Sequence, residues 1–393
     1  MERARKHITY VLIGGTLCLA AWAATAMPRP TATLIPTSDP PVPTNTHTPP
    51  QVSIPKAPPR IEVVFALDTT GSMGGLIDGA KRKIWSLAQF IGSGQPKPEL
   101  RVGLVAYRDR GDTYVTKFYD LSDDLDEVFE HLQSFQADGG GDGPEDVNRA
   151  LGDAIEKSSW TEGQNTLKLL YVVGDAPPHD DYTDEPNSRA WAHRAQEKGI
   201  RINTVRCGSD STTQVAFARM SHIASGEFAS IDQTGGVETV ATPFDEKLAA
   251  LNKKLVGTAI GYGSGGADVR RKVAASMSAP TTIAADRASF FGGKGGAVGG
   301  LGDLVDDVSS GRVKAEAVPA ASLPADVAAM APPARHEYVE HKARERDEVQ
   351  AEIKRVAADR NSFLKSKAPK PSSFDGAVQG TLRKQAAEAG LAL

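Results

Sequence analysis

One stretch limits what this chain can fold into: Val63-Val64-Phe65-Ala66-Leu67-Asp68-Thr69-Thr70-Gly71-Ser72-Met73. Its apolar half reads as a buried strand. Its polar half stands where the strand gives way to a helix, because Lys81–Ile91 carries apolar residues at helical spacing. In an open parallel sheet, ligands bind at the carboxyl ends of strands, so Asp68, Thr70 and Ser72 are placed for function. Alternate residues of a tight loop can aim one carboxylate and two hydroxyls at a single point. All three are hard oxygen donors, suited to Mg²⁺ rather than to a thiolate-loving metal. The hydroxyls are neutral, so an ion held this way keeps positive charge and seeks another anion. The competing reading is an N-cap, with Thr70 or Ser72 satisfying the first amides of the helix.

From Ile61 the pattern alternates strand and helix. This predicts an α/β fold, a doubly wound, mostly parallel sheet with helices on both faces and a helical C-terminal extension. Strands are expected over Ile61–Leu67, Leu100–Tyr107, Tyr114–Tyr119 (an antiparallel edge), Thr166–Val173, Ile200–Arg206 and Glu227–Ile231. Helices are expected over Gly75–Ile91, Leu125–Phe135, Glu145–Ser158, Asn187–Lys198, Thr212–Ala224 and Val237–Leu255. Asp175 follows its strand as Asp68 follows the first, so two carboxylates converge on one crevice; the alternative is a turn acid before Pro177.

The chain has 393 residues, 40% hydrophobic, enough for one good domain and a second region. A net charge of −4 gives no case for nucleic acid. Residues 1–26 read as a secretory signal or signal anchor: Arg3, Arg5 and Lys6, then the apolar Ile8–Ala23, then Ala24-Thr25-Ala26. That makes the chain exported, to a periplasm, cell envelope or medium, with membrane contact only through this segment if it stays uncleaved. Residues 27–60, dense in proline and threonine, read as an extended tether. Cys18 and Cys207 form no disulfide framework, and a lone Cys207 after cleavage is a buried thiol. Residues 257–332 read as a Gly-rich and mixed linker, Gly292–Gly302 as loop. Residues 333–393 read as a charged helical region. Its long helix has only Val339, Val349, Ile353 and Val356 as apolar positions, so it is solvated over most of its surface or packs on a partner.

The blocks around these residues carry a resemblance. Asp68-Thr69-Thr70-Gly71-Ser72-Met73 after a buried strand resembles the metal-ion-dependent adhesion site (MIDAS) of von Willebrand factor type A (VWA) domains. Arg101–Asp109, Gly139-Gly140-Gly141-Asp142-Gly143-Pro144-Glu145-Asp146 and Val172–His179 follow in the order seen in an exported bacterial branch of that family. The resemblance implies a Rossmann-like VWA fold over 61–256 and Mg²⁺ as cofactor, with Ca²⁺ or Mn²⁺ as alternatives. It implies that Asp175 reaches the ion, usually through water. The third loop departs from the family's usual threonine, offering Glu145 first and Asp142 second in its place; the competing reading is that these acids cap a helix. His179 is a further residue placed to touch a ligand.

The implied function is binding of a protein ligand through the ion, not catalysis. The alternative is a structural subunit of an envelope complex in which the metal only stabilises loops. His336-Glu337-Tyr338-Val339-Glu340-His341 is a poor zinc motif, because a spacing of five turns the second histidine off the first one's helix face. Arg110-Gly111-Asp112 reads as a turn.

Overall fold

The computed structural model describes residues 58–393 apart from 142, 164, 234–240, 295–297 and 366–373. The leader and nearly all of the tether lie outside these residues. Six strands, β1 (Arg60–Asp68), β2 (Glu99–Tyr107), β3 (Thr116–Ser122), β4 (Thr166–Gly174), β5 (Ile200–Cys207) and β6 (Phe228–Ile231), form one sheet in the order β3-β2-β1-β4-β5-β6. All pairs are parallel except β2 with β3, which closes one edge antiparallel as expected. The chain builds outward from β1 to β3, then returns to lay β4 on the other side of β1. The strand order therefore reverses between β1 and β4, and a crevice opens beyond their carboxyl ends. Register brings Asp68 opposite Tyr107 and Leu67 opposite Val173.

The helices are α1 (Gly74–Gly92), α2 (Leu125–Gln133), α3 (Val147–Glu156), α4 (Ser188–Glu197), α5 (Ser211–Ile223), α6 (Asp245–Val256), α7 (Gly266–Ser278), α8 (Thr281–Lys294), α9 (Leu304–Ser309), α10 (Ala325–Ala328), α11 (Pro332–Lys365) and α12 (Phe374–Glu388). Alternation along β1 sends Val63, Phe65 and Leu67 to one face and Val64 and Ala66 to the other. The second face is covered by α3, α4 and α5 through Val147, Leu151, Ala192, Phe217 and Met220. The first face buries α1, α2, α6, α8, α11 and α12 in one core around Trp85. Asp124, Asp146, Asn187 and Asp210 cap α2, α3, α4 and α5, each accepting from the amide three residues on.

Three expectations need correction. The helix expected from Glu145 begins at Val147 with Asp146 as its cap, which leaves Glu145 in the loop before it. Residues 257–332 are not a linker. They carry α7 to α10, and Gly292 and Gly293 lie in α8, where the buried Phe290 and Phe291 pack on Trp85 and override glycine's poor helix propensity. Ile260, Leu304, Val305, Ala315, Val318, Val327 and Val339 form a small core of their own. The long charged helix is not solvated over most of its surface: Val339, Val349, Ile353 and Val356 are all buried.

Buried ion pairs fasten this C-terminal layer. Arg287 of α8, 2% exposed, donates to both carboxylate oxygens of Asp126 on α2 (2.7 and 2.5 Å) and to Asn252 of α6. Arg346 of α11 reaches Asp303, Asp306 and Thr258, and Arg360 reaches Asp245 and Asp286. Forked guanidiniums satisfy two acceptors at once, which is what lets a charge sit in such a place. Finally α12 lays Val378, Leu382 and Ala386 on the first face, and Ala392 pairs by backbone with Gln95.

Two outcomes follow for stability. Arg287→Ala strands Asp126 in the interior and should cost about 3–5 kcal/mol in urea unfolding, far more than an exposed arginine such as Arg344. Leu382→Ala, at a fully buried position, should cost about 2–5 kcal/mol in the same measurement; a loss near zero would show that α12 is not part of the core.

Candidate metal centre

Asp68 ends the central strand and is fully buried. Its Oδ1 accepts from the Thr70 amide (2.9 Å) and from Thr70 Oγ1 (2.6 Å), an acid-headed turn that folds the chain back at once. Its Oδ2 is buried with no hydrogen-bond partner. Thr70 Oγ1 lies 3.4 Å from Ser72 Oγ, in the short 3₁₀ turn Gly71–Met73 that leads into α1. Neither hydroxyl caps a helix: Thr70 before the 3₁₀ turn and Met73 before α1 make no side-chain capping bond. With its proton given to Asp68, Thr70 Oγ1 keeps its lone pairs for another group.

Asp175 directly follows β4, whose end lies beside that of β1, and its charge helps to push up the Asp68 carboxyl. Gly174 makes this approach possible. A Cβ there would sit 2.4 Å from Tyr107 Oη and 3.3 Å from Asp68 Oδ2. Tyr107 Oη donates to the Val173 carbonyl and leaves the carboxylates alone, while Asp175 Oδ2 accepts from Gln233 Nε2 (2.5 Å). Glu145 arrives on the third loop, its backbone bridged to Pro178. It is 3% exposed, and its Oε2 is buried without a partner. Gly140, at φ +82°, lets the neighbouring loop press on Thr70: a Cβ there would lie 3.1 Å from Thr70 Cβ and 3.8 Å from Glu145 Oε1. Asp142, the other acid proposed from this loop, lies outside the described residues.

The acids bear the cost of this crowding. Burial, offset in part by the Thr70 bonds and reinforced by Asp175, pushes Asp68 from 3.8 to about 7. Burial together with Asp68, Asp109, Asp112 and Asp175 pushes Glu145 from 4.5 to about 9. Two buried carboxyl oxygens without donors, close to two hydroxyls, form a set that a hard cation fits by displacing their protons. Among the described residues no group of three or more His, Cys, Asp or Glu is arranged as a ready metal cage. The set here mixes carboxylates with hydroxyls.

Residues 62–242 match the family model described as the von Willebrand factor A domain. This chain is a VWA domain protein. A segment of 119 residues is 25% identical to an ariadne-like RING finger protein of Acanthamoeba polyphaga mimivirus, covering 30% of this chain and 11% of the viral protein. The chain thus spans about a tenth of the length of that curated relative. Among solved structures, BatB from Bacteroides thetaiotaomicron is 17% identical with a TM-score of 0.33, covering 44% of this chain and 90% of BatB. The VWA domain of SpRpn10 is 13% identical with a TM-score of 0.35, covering 44% and 89% respectively.

Around the VWA crevice, the structure recruits residues that had no assigned role. Arg108 donates to the carbonyls of Thr69 and Gln136, and Asp112 accepts from the Gly140 amide, so the glycine loop is pinned to the Thr69–Gly71 turn. Arg110 stacks on Tyr182 and pairs with Asp146, Asp184 and Glu185. Gly111 at φ +97° confirms the turn read at Arg110-Gly111-Asp112. The only sequence signal for these residues was their place in the block after β2. His179 is enclosed rather than displayed. It stacks on Tyr182, with Nδ1 2.8 Å from Asp181 Oδ1 and Nε2 3.6 Å from Asp109 Oδ2, while its backbone amide donates to Glu145 O. Its place is behind the third loop, as a brace.

A carboxyl that holds its proton more tightly folded than unfolded withdraws stability as pH rises through the interval between its two pKa values. For Asp68 that interval runs from 3.8 to about 7. The metal-free VWA domain should therefore lose stability over this range, and Asp68→Asn should remove that loss. At about pH 8 in chelator the variant should melt at least about 2 °C above the parent chain. Mg²⁺ should raise the parent's melting temperature and leave the variant's unchanged. A variant that melts lower in chelator would contradict this account of the site.

Proposed function

We propose that this chain is an exported, divalent-metal-dependent protein-binding module with a MIDAS-type site. Asp68, Thr70, Ser72 and Glu145 would hold the ion directly and Asp175 through water, with Mg²⁺ the natural occupant and Ca²⁺ or Mn²⁺ alternatives. The ion would supply positive charge to a crevice that otherwise holds only acids and hydroxyls. The observation that carries this reading is the buried, unpartnered Oδ2 of Asp68 at the strand-order reversal of a VWA sheet. VWA domains commonly mediate protein–protein interactions, and the partner proposed here is a protein.

The reading is of a binding module rather than an enzyme. Cys207 is buried, its thiol pushed up by burial and by Asp175 and Asp68, and His179 is held between two carboxylates. An acidic crevice does not suit a phosphate backbone. No described helix is long and apolar enough to cross a membrane; membrane contact in this reading comes only through the N-terminal segment if it stays uncleaved. The alternative, a structural subunit assembled through its charged C-terminal helix, draws less support. The buried side of α11 is engaged with its own chain through Arg346, Arg360 and Ile353.

Calorimetric titration should show Mg²⁺ binding that Asp68→Ala abolishes. In pull-downs from envelope extract, a ligand should be retained in Mg²⁺, released by chelator and never captured by Asp68→Ala. Capture indifferent to both chelator and substitution would sink the proposal.

A further inference from the structure

We infer that Glu145 is a specificity-determining residue: standing in the loop position argued above, its carboxylate supplies the negative charge that an acidic side chain of a partner would otherwise bring to the metal. The partner then reaches the crevice without offering a carboxylate to the ion. This rests on the metal-dependent reading above and adds to it the class of ligand that the site refuses.

Position is the first argument. The backbone of Glu145 is held from both sides, its amide donating to Pro177 O (2.9 Å) and its carbonyl accepting from His179 N (3.1 Å) and Val147 N (2.8 Å). The side chain is thereby committed to the crevice, where it is buried and where Oε2 finds no donor. Glu145 Oε1 and Thr70 Cβ both lie within 4 Å of the point above Gly140 where a Cβ would stand, so the acid and the Thr70 side chain flank one spot.

Charge is the second. Asp68 and Thr70 with Ser72 alone would leave a divalent ion with net positive charge. Glu145 and the neighbouring Asp175 bring two further carboxyl groups into electrostatic contact with Asp68, where a divalent ion offers a charge of two. Of the nearby arginines, Arg110 is matched by Asp146, Asp184 and Glu185, and Arg108, which donates to the carbonyls of Thr69 and Gln136, faces the exposed Asp138 at 3.8 Å. Another carboxylate brought to within a few ångströms would meet net repulsion in a poorly screened crevice.

The test uses the full chain, Mg²⁺ and sodium acetate as the simplest carboxylate, with sodium chloride of equal ionic strength as control. In calorimetry, acetate should leave the wild-type Mg²⁺ affinity unchanged. Glu145→Thr, which replaces the acid by a neutral hydroxyl, should bind Mg²⁺ more weakly in chloride and recover affinity severalfold in acetate. Glu145→Ser serves the same purpose if threonine compromises folding, as judged by circular dichroism. Acetate tightening Mg²⁺ on the wild-type chain overturns the inference while leaving the metal site standing. So does a folded, metal-binding Glu145→Thr that ignores acetate. A wild-type chain that binds no Mg²⁺ overturns both this inference and the reading beneath it.

Discussion

The mutual repulsion of carboxylates gathered at the end of the sheet is the constraint on which the rest of the structure turns. Parallel register sets Asp68 beside the end of β4, and Gly174 removes the one atom that would have kept Asp175 away. Nothing in the interior of an α/β domain requires three acids at that place, and Asp68 and Glu145 are held there against their preference for water. The surrounding loops are built to hold them. Arg108 ties one, Asp112 a second, and the Glu145–Pro178 bridge a third. The strain is tolerable because the sheet beneath is buried on both faces and gives a rigid base.

That base was largely legible. Strand runs such as Leu169–Val173 are apolar on both faces because helices cover both, and this pattern survives translation into sequence with little ambiguity. Asp68, Thr70, Ser72 and Asp175 were legible for the same reason: each stands at a strand end, and strand ends are well marked. Glu145 was legible as a candidate but misplaced by two residues, since an acid before a helix looks the same whether it caps the helix or hangs free of it. Asp146 turned out to be the cap.

The C-terminal layer was not legible, and the reason is physical. Its cohesion comes from pairs such as Arg287–Asp126 and Arg360–Asp245, whose members lie more than a hundred residues apart. Read locally, Arg346 and Arg360 make α11 look like a solvated helix, when both are buried and ion-paired. Glycines in α8 misled in the opposite sense. Hydrophobic periodicity reports a face but not what covers it, and charge reports neither.

The backbone pairing of Gln95 with Ala392, and the helix that precedes it, bears on the order in which the molecule assembles. The strands of the first face precede α12, which covers part of it, by a long stretch of chain. Contacts closed over such sequence separations are slow to form, because the intervening chain must be ordered before they are rewarded. Until α12 docks, the Tyr171 side of β4 and the neighbouring β5 keep part of their apolar face uncovered.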